Sequence, residues 1–377
     1  SLEAGLDGDQ VRGFYELVPG VSGKGLRLDG QTSRSADGWG DWVEETFTIY
    51  PDGTCVRKIK VWSSSPHVVP GKGPGTNGFR QYHEAIVINP PGTRPEDNIR
   101  PDALTLTNMR GESHTYWWDK EAPGEAASLD PETVALLGRI SDLEPHTHKW
   151  LTQPPGANIL QVNLKAQYRP FVVVDPRNVA IDCYAGEIVR ERSMFPWWNH
   201  WPVSQQIRSN GRWAVAPDRV SHSSLAHIQS WQPYEESESG ITMLMLNGLT
   251  DRAGTALVPL AKGWLAPPEI EVEGPGFRGE GFDPAQKAFV VSREGAAGDA
   301  MLRMTLHGSP ESPVVNPALV VRNWGDALAS VEIDGRRAVP GKDLRVGRVQ
   351  RLDGEDLVVW TRREAVSPVR IIVRPER

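Results

Sequence analysis

The sequence predicts an all-β fold: a large antiparallel β-sandwich with one helical insertion, followed by a smaller C-terminal β-sandwich. Two observations predict this fold. Short runs in which apolar and polar residues alternate recur along the chain between turn residues, which is the pattern of half-buried strands. In addition, a single convincing helical segment, at residues 130–140, is found among the 377 residues. Because the length exceeds that of a typical single domain, we expect two.

The clearest local element is a β-hairpin formed by residues 45–50 and 54–62. The segment Pro51-Asp52-Gly53 joins the two runs, and its Asp-Gly pair tolerates the backbone angles that a tight connection requires. We expect apolar residues of the two strands to oppose each other across the turn: Phe47 and Ile49 on the first strand, and Val56, Ile59 and Val61 on the second.

Other strands are predicted wherever a short apolar-polar alternation lies between turn signals. A short one falls within residues 19–34, around Leu26 and Leu28. The others are predicted at 82–89, 104–108, 112–118, 159–164, 171–174, 179–184, 212–216, 223–229, 242–246 and 256–259.

The helical insertion is predicted at residues 130–140. Asp130 is the N-cap, Pro131 occupies the first turn, and three apolar residues share one face: Val134, Leu137 and Ile140. This segment lies between predicted strands, so we expect a helix inserted into a β-domain.

A Pro- and Gly-rich stretch at 267–283 predicts a domain boundary or a crossover between sheets. We assign residues 1–267 to the large domain and 268–377 to the small accessory sandwich, with strands at 288–292, 300–306, 318–323, 330–333, 357–361 and 369–373. Polar turns such as Asp334-Gly335 and Asp353-Gly354 carry no catalytic cluster, so this domain is expected to serve stability.

Composition excludes two classes of protein. No apolar run approaches the roughly 20 residues that a membrane-spanning helix needs, and the mean hydropathy is −0.41. The net charge is −7 with both signs interspersed, which argues against a nucleic-acid partner but not against acidic sugars.

The oligomeric state is not determined by the sequence. Cys55 and Cys183 are compatible with one disulfide and equally with two buried thiols.

Tryptophan is the compositional outlier, with 14 residues against 7 tyrosines and 8 phenylalanines. Three of them, Trp197, Trp198 and Trp201, surround Asn199 and His200 in the Pro-bounded segment 194–202, which suits neither a helix nor a strand. Flat indole faces stack on sugar rings, while an amide and an imidazole provide directional hydrogen bonds. The segment therefore predicts a carbohydrate site; a Trp and Pro plug of the core is the alternative.

A large antiparallel β-domain that carries this Trp-Trp-Asn-His-Trp loop and is followed by a small sandwich resembles the β-supersandwich polysaccharide lyases and the galactose-mutarotase-like proteins. The helical toroid domain that such lyases usually carry is not expected in this sequence. The resemblance implies a polysaccharide-degrading enzyme, and more specifically a lyase that cleaves a uronic-acid-containing polysaccharide by β-elimination. It also implies a secreted or periplasmic protein, with any signal segment outside this sequence.

β-Elimination removes the proton at C5 of a uronic acid, beside its carboxylate, and expels the substituent at C4. This reaction needs a group that neutralises the carboxylate, a base and an acid. We assign these roles to Asn199 as neutraliser, His200 or His222 as base, and Tyr184 as acid, with Arg219 holding charge. Tyr184 ends the predicted strand that enters the Trp-rich loop, and Arg219 and His222 are expected on the strand that leaves it, so proximity across that connection is expected.

Substrate contacts are predicted for five residues: Trp197, Trp198, Trp201, His83 and Trp117. A glycoside hydrolase is the alternative enzyme class, and its two carboxyl groups would come from Glu84, Asp97, Glu112, Asp119, Glu187 and Asp218. A non-catalytic carbohydrate-binding protein is the third hypothesis, since aromatic platforms alone suffice for binding.

No cofactor is predicted, although a structural or catalytic divalent cation is left open. His146 and His148 have metal-ligand spacing on an extended chain but no third ligand at a suitable distance in sequence, so no metal site is predicted there.

Overall fold

The computed structural model describes residues 9–17, 41–62, 81–88, 90, 92–93, 95–116, 154–176, 179–183, 222–230, 234–236, 240–295, 300–352 and 354–376. Sheets dominate this part of the chain, and nearly all strand pairs are antiparallel, which confirms the predicted all-β fold. Three predicted elements lie outside the described residues: the strand around Leu26 and Leu28, the helix at 130–140 and the strand at 212–216.

The first half of the described chain contains twelve strands and two short helices. The strands are β1 (Asp9–Leu17), β2 (Asp41–Ile49), β3 (Thr54–Trp62), β4 (Gln81–Ile88), β5 (Ile99–Asn108), β6 (Ser113–Tyr116), β7 (Ala157–Leu164), β8 (Arg169–Val173), β9 (Val179–Cys183), β10 (His222–Ser230), β11 (Glu235–Glu236) and β12 (Gly240–Thr250). The helices are α1 (Pro95–Asn98) and α2 (Val258–Leu265), the latter preceded by a 3₁₀ turn, Gly254–Leu257.

Nine of these strands form one sheet. Its order is β1-β2-β3-β12-β8-β7-β5-β6, with β11 paired to β12, and the other three strands form a separate sheet in the order β4-β10-β9. Strand β9 of the small sheet approaches β7 of the large one. Most strands predicted before residue 250 are therefore confirmed, with shifted ends, whereas β1 and β11 were not predicted.

The predicted hairpin is the pair β2 and β3. Across its turn the Tyr50 amide donates to the Thr54 carbonyl at 2.8 Å, and the Gly53 amide donates to the Tyr50 carbonyl at 3.0 Å. Gly53 has φ +82°, and a Cβ built there would lie 2.7 Å from the Leu249 carbonyl oxygen. Only glycine fits this turn without strain, because both the angle and the close approach exclude a side chain.

One detail of the hairpin differs from the prediction. Tyr50 pairs with Thr54 across a three-residue loop, so odd-numbered residues pair with odd-numbered ones, and Ile49 lies opposite Cys55 while Thr48 lies opposite Val56. Val56 therefore lies on the other face of the sheet from Phe47 and Ile49, because directly opposed residues of an antiparallel pair share a face.

Val56 begins a cross-strand row that forms the core of the large sheet. It lies opposite Leu246, which lies opposite Val173, which in turn lies opposite Ile159. All four side chains are fully buried. Burying an aliphatic side chain of this size contributes about 1.5–3 kcal/mol, so this row also fixes the register of four strands.

Helix α2 covers this row, and it corrects the strand predicted at 256–259. The residues Leu257, Leu260, Ala261 and Trp264 are buried and follow helical spacing, and they pack on the row in one cluster. Pro259 lies in the first helical turn, where a missing amide hydrogen costs nothing. The four-residue window used for the strand prediction was too short to show this 3.6-residue period.

The remaining described chain, from residue 269 to 376, forms a β-sandwich with a small two-stranded appendage. Its strands are β13 (Glu269–Glu273), β14 (Phe277–Asp283), β15 (Ala288–Arg293), β16 (Leu302–His307), β17 (Val314–Val315), β18 (Ala318–Arg322), β19 (Leu328–Ile333), β20 (Arg336–Ala338), β21 (Leu344–Gln350), β22 (Glu355–Thr361), β23 (Glu364–Ala365) and β24 (Val369–Glu376). The sheets have the orders β13-β16-β24-β19-β20, β14-β15-β18-β22-β21 and β17-β23.

The two five-stranded sheets enclose a single apolar core. Leu302, Met304 and Val373 from one sheet pack with Val291 and Val359 from the other, and all five are buried. This is the predicted C-terminal sandwich. Within it, the predicted Asp334-Gly335 turn joins β19 to β20, with φ of +49° and +78°, as expected for a two-residue hairpin loop.

No described strand pair joins the part before residue 268 to the part after it. Side chains nevertheless cross this point, because Tyr50 from the β2–β3 turn is only 4% exposed and packs in one cluster with Trp360 and three other sandwich residues: Ala288, Ala318 and Val320. The division into domains at 267/268 stays a prediction.

Polar contacts reinforce this junction. The Tyr50 hydroxyl donates to the Gln286 carbonyl at 2.5 Å, and the amide nitrogen of Asn316 donates to Asp52 Oδ2 at 2.7 Å. The Lys287 amine, which is buried, donates to the carbonyls of Val315 at 3.2 Å and Asn316 at 3.1 Å. The same amine lies 5.6 Å from the centre of the Tyr50 ring.

Lys287 and Tyr50 predict opposite pH dependences of stability. Burial lowers the pKa of Lys287, opposed by Asp52, whereas burial, followed by Asp283 and Asp52, raises the pKa of Tyr50. Between the folded pKa of Lys287 and its usual value near 10.4, the unfolded chain binds more protons, so this group makes stability rise with pH. Above about pH 10 the folded state retains the Tyr50 proton, so stability falls as pH rises.

We therefore expect Lys287→Met to remove the rising component and Tyr50→Phe to remove the falling one. The measurement is the free energy of unfolding in urea between pH 7 and 11 for the wild type and both variants. Parallel pH profiles for all three proteins would contradict the assignment of these groups to the buried junction.

Candidate functional site

The three-stranded sheet brings three titratable residues into one row. In the central strand β10, His227 lies opposite Glu84 of β4 and opposite Asp182 of β9. Directly opposed residues of antiparallel strands lie on the same face of a sheet. The strand register therefore assigns Glu84, His227 and Asp182 to one face of the sheet, and these residue types are suited to acid-base chemistry.

Two predicted site residues lie in this sheet, and the register separates them. His222 is the first residue of β10 and lies opposite Ile88, whereas His83 lies opposite Ile228. Along β4, residue 88 shares its face with Glu84, while residue 83 shares the other face with the buried Val87. His222 therefore lies on the face of the row, and His83 does not.

The spacing of the two carboxylate residues constrains the chemistry that they can perform. Glu84 and Asp182 lie on the outer strands β4 and β9, with β10 between them. Neighbouring strands are about 4.8 Å apart, so the two backbone positions are separated by roughly 9–10 Å. Inverting glycosidases place their two carboxyl groups about 6.5–9.5 Å apart, and retaining enzymes about 5–5.5 Å. The backbone positions are therefore compatible with the carboxyl separation of inverting enzymes.

The Trp-rich segment belongs to the connection between β9 and β10. Strand β9 ends at Cys183 and β10 begins at His222, and the two strands are antiparallel neighbours. The residues between them start and finish at this one sheet. Eight predicted site residues lie outside the described residues: Trp117, Tyr184, Trp197, Trp198, Asn199, His200, Trp201 and Arg219.

Sequence reasoning did not name His227 or Asp182, and it named Glu84 only for the hydrolase hypothesis. These residues are separated by 98 and 45 positions along the chain (84 to 182, and 182 to 227), so no local spacing joins them. The usable signal was alternation, which places His227 on a predicted strand. The pairing of that strand with 82–89 and 179–184 is not encoded in any local pattern.

Glu112, another carboxyl group considered for hydrolysis, is held in its ionised form. Its Oε2 accepts a hydrogen bond from Arg110 and another from Asn108, each at 2.6 Å, and these bonds lower its pKa. A general acid needs a raised pKa. Glu112 therefore does not fit that role.

A concave feature lies apart from the β4-β10-β9 sheet, at the junction of the large sheet and the C-terminal sandwich. We call it the junction cleft. Its volume is about 610 Å³, and the charged residues of its lining are Asp52, Asp251, Arg252, Lys342, Arg362 and Glu364. This volume is typical of small-ligand sites.

Ion pairs connect and flank the junction cleft. Arg252 pairs with Glu364 at 2.6 Å, which joins the segment after β12 to strand β23. Arg362 pairs with Asp343 at 3.2 Å and lies 5.7 Å from the centre of the Trp360 ring. These pairs are partly exposed, so each contributes only about 0–1 kcal/mol and mainly orients the charged groups.

Cys55 is a free thiol in the structure, so the disulfide considered from the sequence is not formed. Burial raises its pKa to about 11, opposed by the nearby Arg57, which keeps it protonated at neutral pH. Among the side chains that the structure describes, no group of three or more His, Cys, Asp or Glu is placed to hold a metal ion. Within the same residues, no helix has the length and apolar character to cross a membrane.

Comparison with known proteins gives little further information. No protein-family model matches the chain, and no curated protein matches it. Among solved structures, a weak similarity is found to xanthan lyase from Paenibacillus, with 8% sequence identity and a TM-score of 0.27. The alignment covers 90% of this chain and 26% of that one, so the chain spans about a quarter of the lyase. Similarity at this level carries no argument about function.

Proposed function

We propose that the protein is a carbohydrate-active enzyme that cleaves a uronic-acid-containing polysaccharide by β-elimination. The observation that carries the proposal is the position of the Trp-rich connection: it leaves β9 and enters β10 beside the row of Glu84, His227 and Asp182. The tryptophans that would stack on sugar rings therefore lie in the connection between two strands of the same sheet that carries the titratable residues. A polymeric substrate also suggests a secreted or periplasmic location.

The proposed roles follow from the chemistry of elimination. Asn199 hydrogen-bonds the uronate carboxylate, which makes the C5 proton more acidic, and His200 removes that proton, with His222 as the second candidate base. Tyr184, two positions after Asp182, protonates the leaving oxygen, and Arg219 balances negative charge. The indoles of Trp197, Trp198 and Trp201 stack on neighbouring sugar rings, while His83 and Trp117 are weaker candidates for substrate contact.

Hydrolysis is the second candidate function, and the spacing of Glu84 and Asp182 favours it. In an inverting mechanism one carboxyl group protonates the leaving oxygen while the other activates a water molecule.

Product analysis separates the two reactions. The protein is incubated with a panel of uronic-acid polysaccharides and with neutral polysaccharides, and both ultraviolet absorbance and new reducing ends are followed. Elimination produces a C4=C5 double bond that absorbs in the ultraviolet, whereas hydrolysis produces reducing ends without it. In the hydrolytic case, Glu84→Gln and Asp182→Asn should each lower turnover by about 10²–10⁴-fold.

A further inference from the structure

We propose that the junction cleft is a second saccharide-binding site that holds an uncharged oligosaccharide without cleaving it. The inference rests on the proposed function for the class of ligand, but it concerns other residues. It gives the C-terminal sandwich a role in binding, beyond the stabilising role expected from its sequence.

The charges in the cleft favour an uncharged, hydroxyl-rich ligand. The lining contains three carboxylates, Asp52, Asp251 and Glu364, and three cations, Arg252, Lys342 and Arg362, so its formal charge sums to zero. Carboxylates accept hydrogen bonds from hydroxyl groups, and ammonium and guanidinium groups donate to them. A sugar hydroxyl can do both, whereas a polyanion gains no net attraction from a balanced lining.

Two of these charged groups are available to a ligand. Within the described residues, no hydrogen bond or ion pair engages the Lys342 amine or the Asp251 carboxylate, and both residues are exposed. The other four already bond to protein groups: Asp52 to Asn316, Arg252 to Glu364, and Arg362 to Asp343. A ligand would therefore be bound chiefly by Lys342 and Asp251.

The apolar part of the cleft suits a sugar ring. Tyr168 and Leu249 are each 53% exposed, which leaves an aromatic face and an aliphatic side chain at the edge of the cavity. The lining also contains the buried residues Phe171, Leu257 and Leu260. An exposed tyrosine ring beside carboxylates and an amine provides both the stacking surface and the directional bonds that a saccharide requires.

The walls of the cleft are held at a fixed separation before any ligand binds. The Asn316 amide bonds to Asp52 at 2.7 Å across the junction, and Tyr50 beneath the turn is buried against the sandwich. Because both walls are already ordered, binding does not require a large loss of conformational freedom. The exposed ion pair between Arg252 and Glu364 can rearrange at little cost.

The test is calorimetric titration of the full chain with hexamers of xylose, glucose (β-1,4-linked) and mannose, and with hexagalacturonate as the charged comparison. All titrations use the His200→Ala background, so that cleavage at the proposed active site does not interfere. We expect at least one neutral hexamer to bind, and Tyr168→Ala to weaken that binding about tenfold or more, by analogy with aromatic stacking on nucleobases. Lys342→Ala should weaken it several-fold.

Tyr234→Ala is the matched control, because Tyr234 is also exposed, at 45%, and does not line the junction cleft. It should bind as the parent does. The proposal is overturned if no neutral hexamer binds in a Tyr168-dependent way, or if hexagalacturonate alone binds through Lys342. Failure of elimination at the proposed active site would leave a Tyr168-dependent titration unchanged, so the two failures are distinguishable.

Discussion

Replacing His200 by alanine should lower turnover of a uronic-acid polysaccharide by about 10²–10⁴-fold, because a general base contributes mainly in the transition state. Substrate binding should change little, since the proton transfer that His200 performs is absent from the ground state. The measurement is the initial rate of ultraviolet absorbance increase, with binding followed separately by titration under conditions of negligible turnover.

Trp198→Ala is the matched variant, and it should give the opposite result. Losing one stacking platform should weaken binding by about 1–3 kcal/mol, by analogy with aromatic stacking on nucleobases, with a smaller effect on the chemical step. Asn199→Ala should behave like His200→Ala on a uronate and have a much smaller effect on a neutral sugar. Near wild-type turnover of His200→Ala would assign the imidazole a structural role and favour hydrolysis or simple binding.

Replacing Tyr50 by alanine should lower the free energy of unfolding by about 3–5 kcal/mol, the usual cost of truncating a buried aromatic side chain. Tyr50 is 4% exposed and fills a cluster on the C-terminal sandwich, and its hydroxyl bonds to the Gln286 carbonyl. Truncation also removes the ring beneath the buried Lys287 amine, so a charged group loses a favourable contact.

Urea unfolding of the purified variants measures this loss. Tyr168→Ala is the control, because its side chain is 53% exposed and a surface substitution of this kind usually changes stability by less than about 0.5 kcal/mol. If Tyr50→Ala were no more destabilising than Tyr168→Ala, the β2–β3 turn would not be packed against the sandwich. The preordered junction cleft would then lose its physical basis.

The β2–β3 hairpin could be predicted because its information is local. The Asp52-Gly53 pair determines the connection, and alternating apolar residues on both sides identify the strands. The Asp334-Gly335 turn could also be predicted from local sequence, and it has the expected positive φ values. Within the described residues, most strand predictions were accurate in type but not at their ends, since strand ends depend on neighbouring strands that a local pattern does not show.

Helix α2 was missed for a different physical reason. Its apolar residues occur at 257, 260, 261 and 264, a helical period that needs a window of at least eight residues. Pro259, the last residue of the predicted strand, lies in the first turn of the helix, where proline is well tolerated. The helix forms because its buried face covers the row of Val56, Leu246, Val173 and Ile159.

The candidate site also contains one part that local sequence predicts and one part that it does not. The Trp-rich segment could be recognised from its composition, because its aromatic and polar residues are contiguous. The row of Glu84, His227 and Asp182 could not, because it depends on the pairing of three strands that are distant in sequence. His83 was predicted as a substrate contact from residue type alone, and the register places it on the face opposite to that row.

The most direct test of the central claim is the formation of unsaturated sugar on a panel of uronic-acid polysaccharides. The wild-type protein should raise ultraviolet absorbance on at least one of them, and His200→Ala should abolish the increase while Tyr234→Ala retains it. New reducing ends without a change in absorbance, lost in Glu84→Gln and Asp182→Asn, would replace elimination by hydrolysis. Neither signal on any polysaccharide, together with saturable binding that requires Trp198, would contradict the enzyme assignment itself.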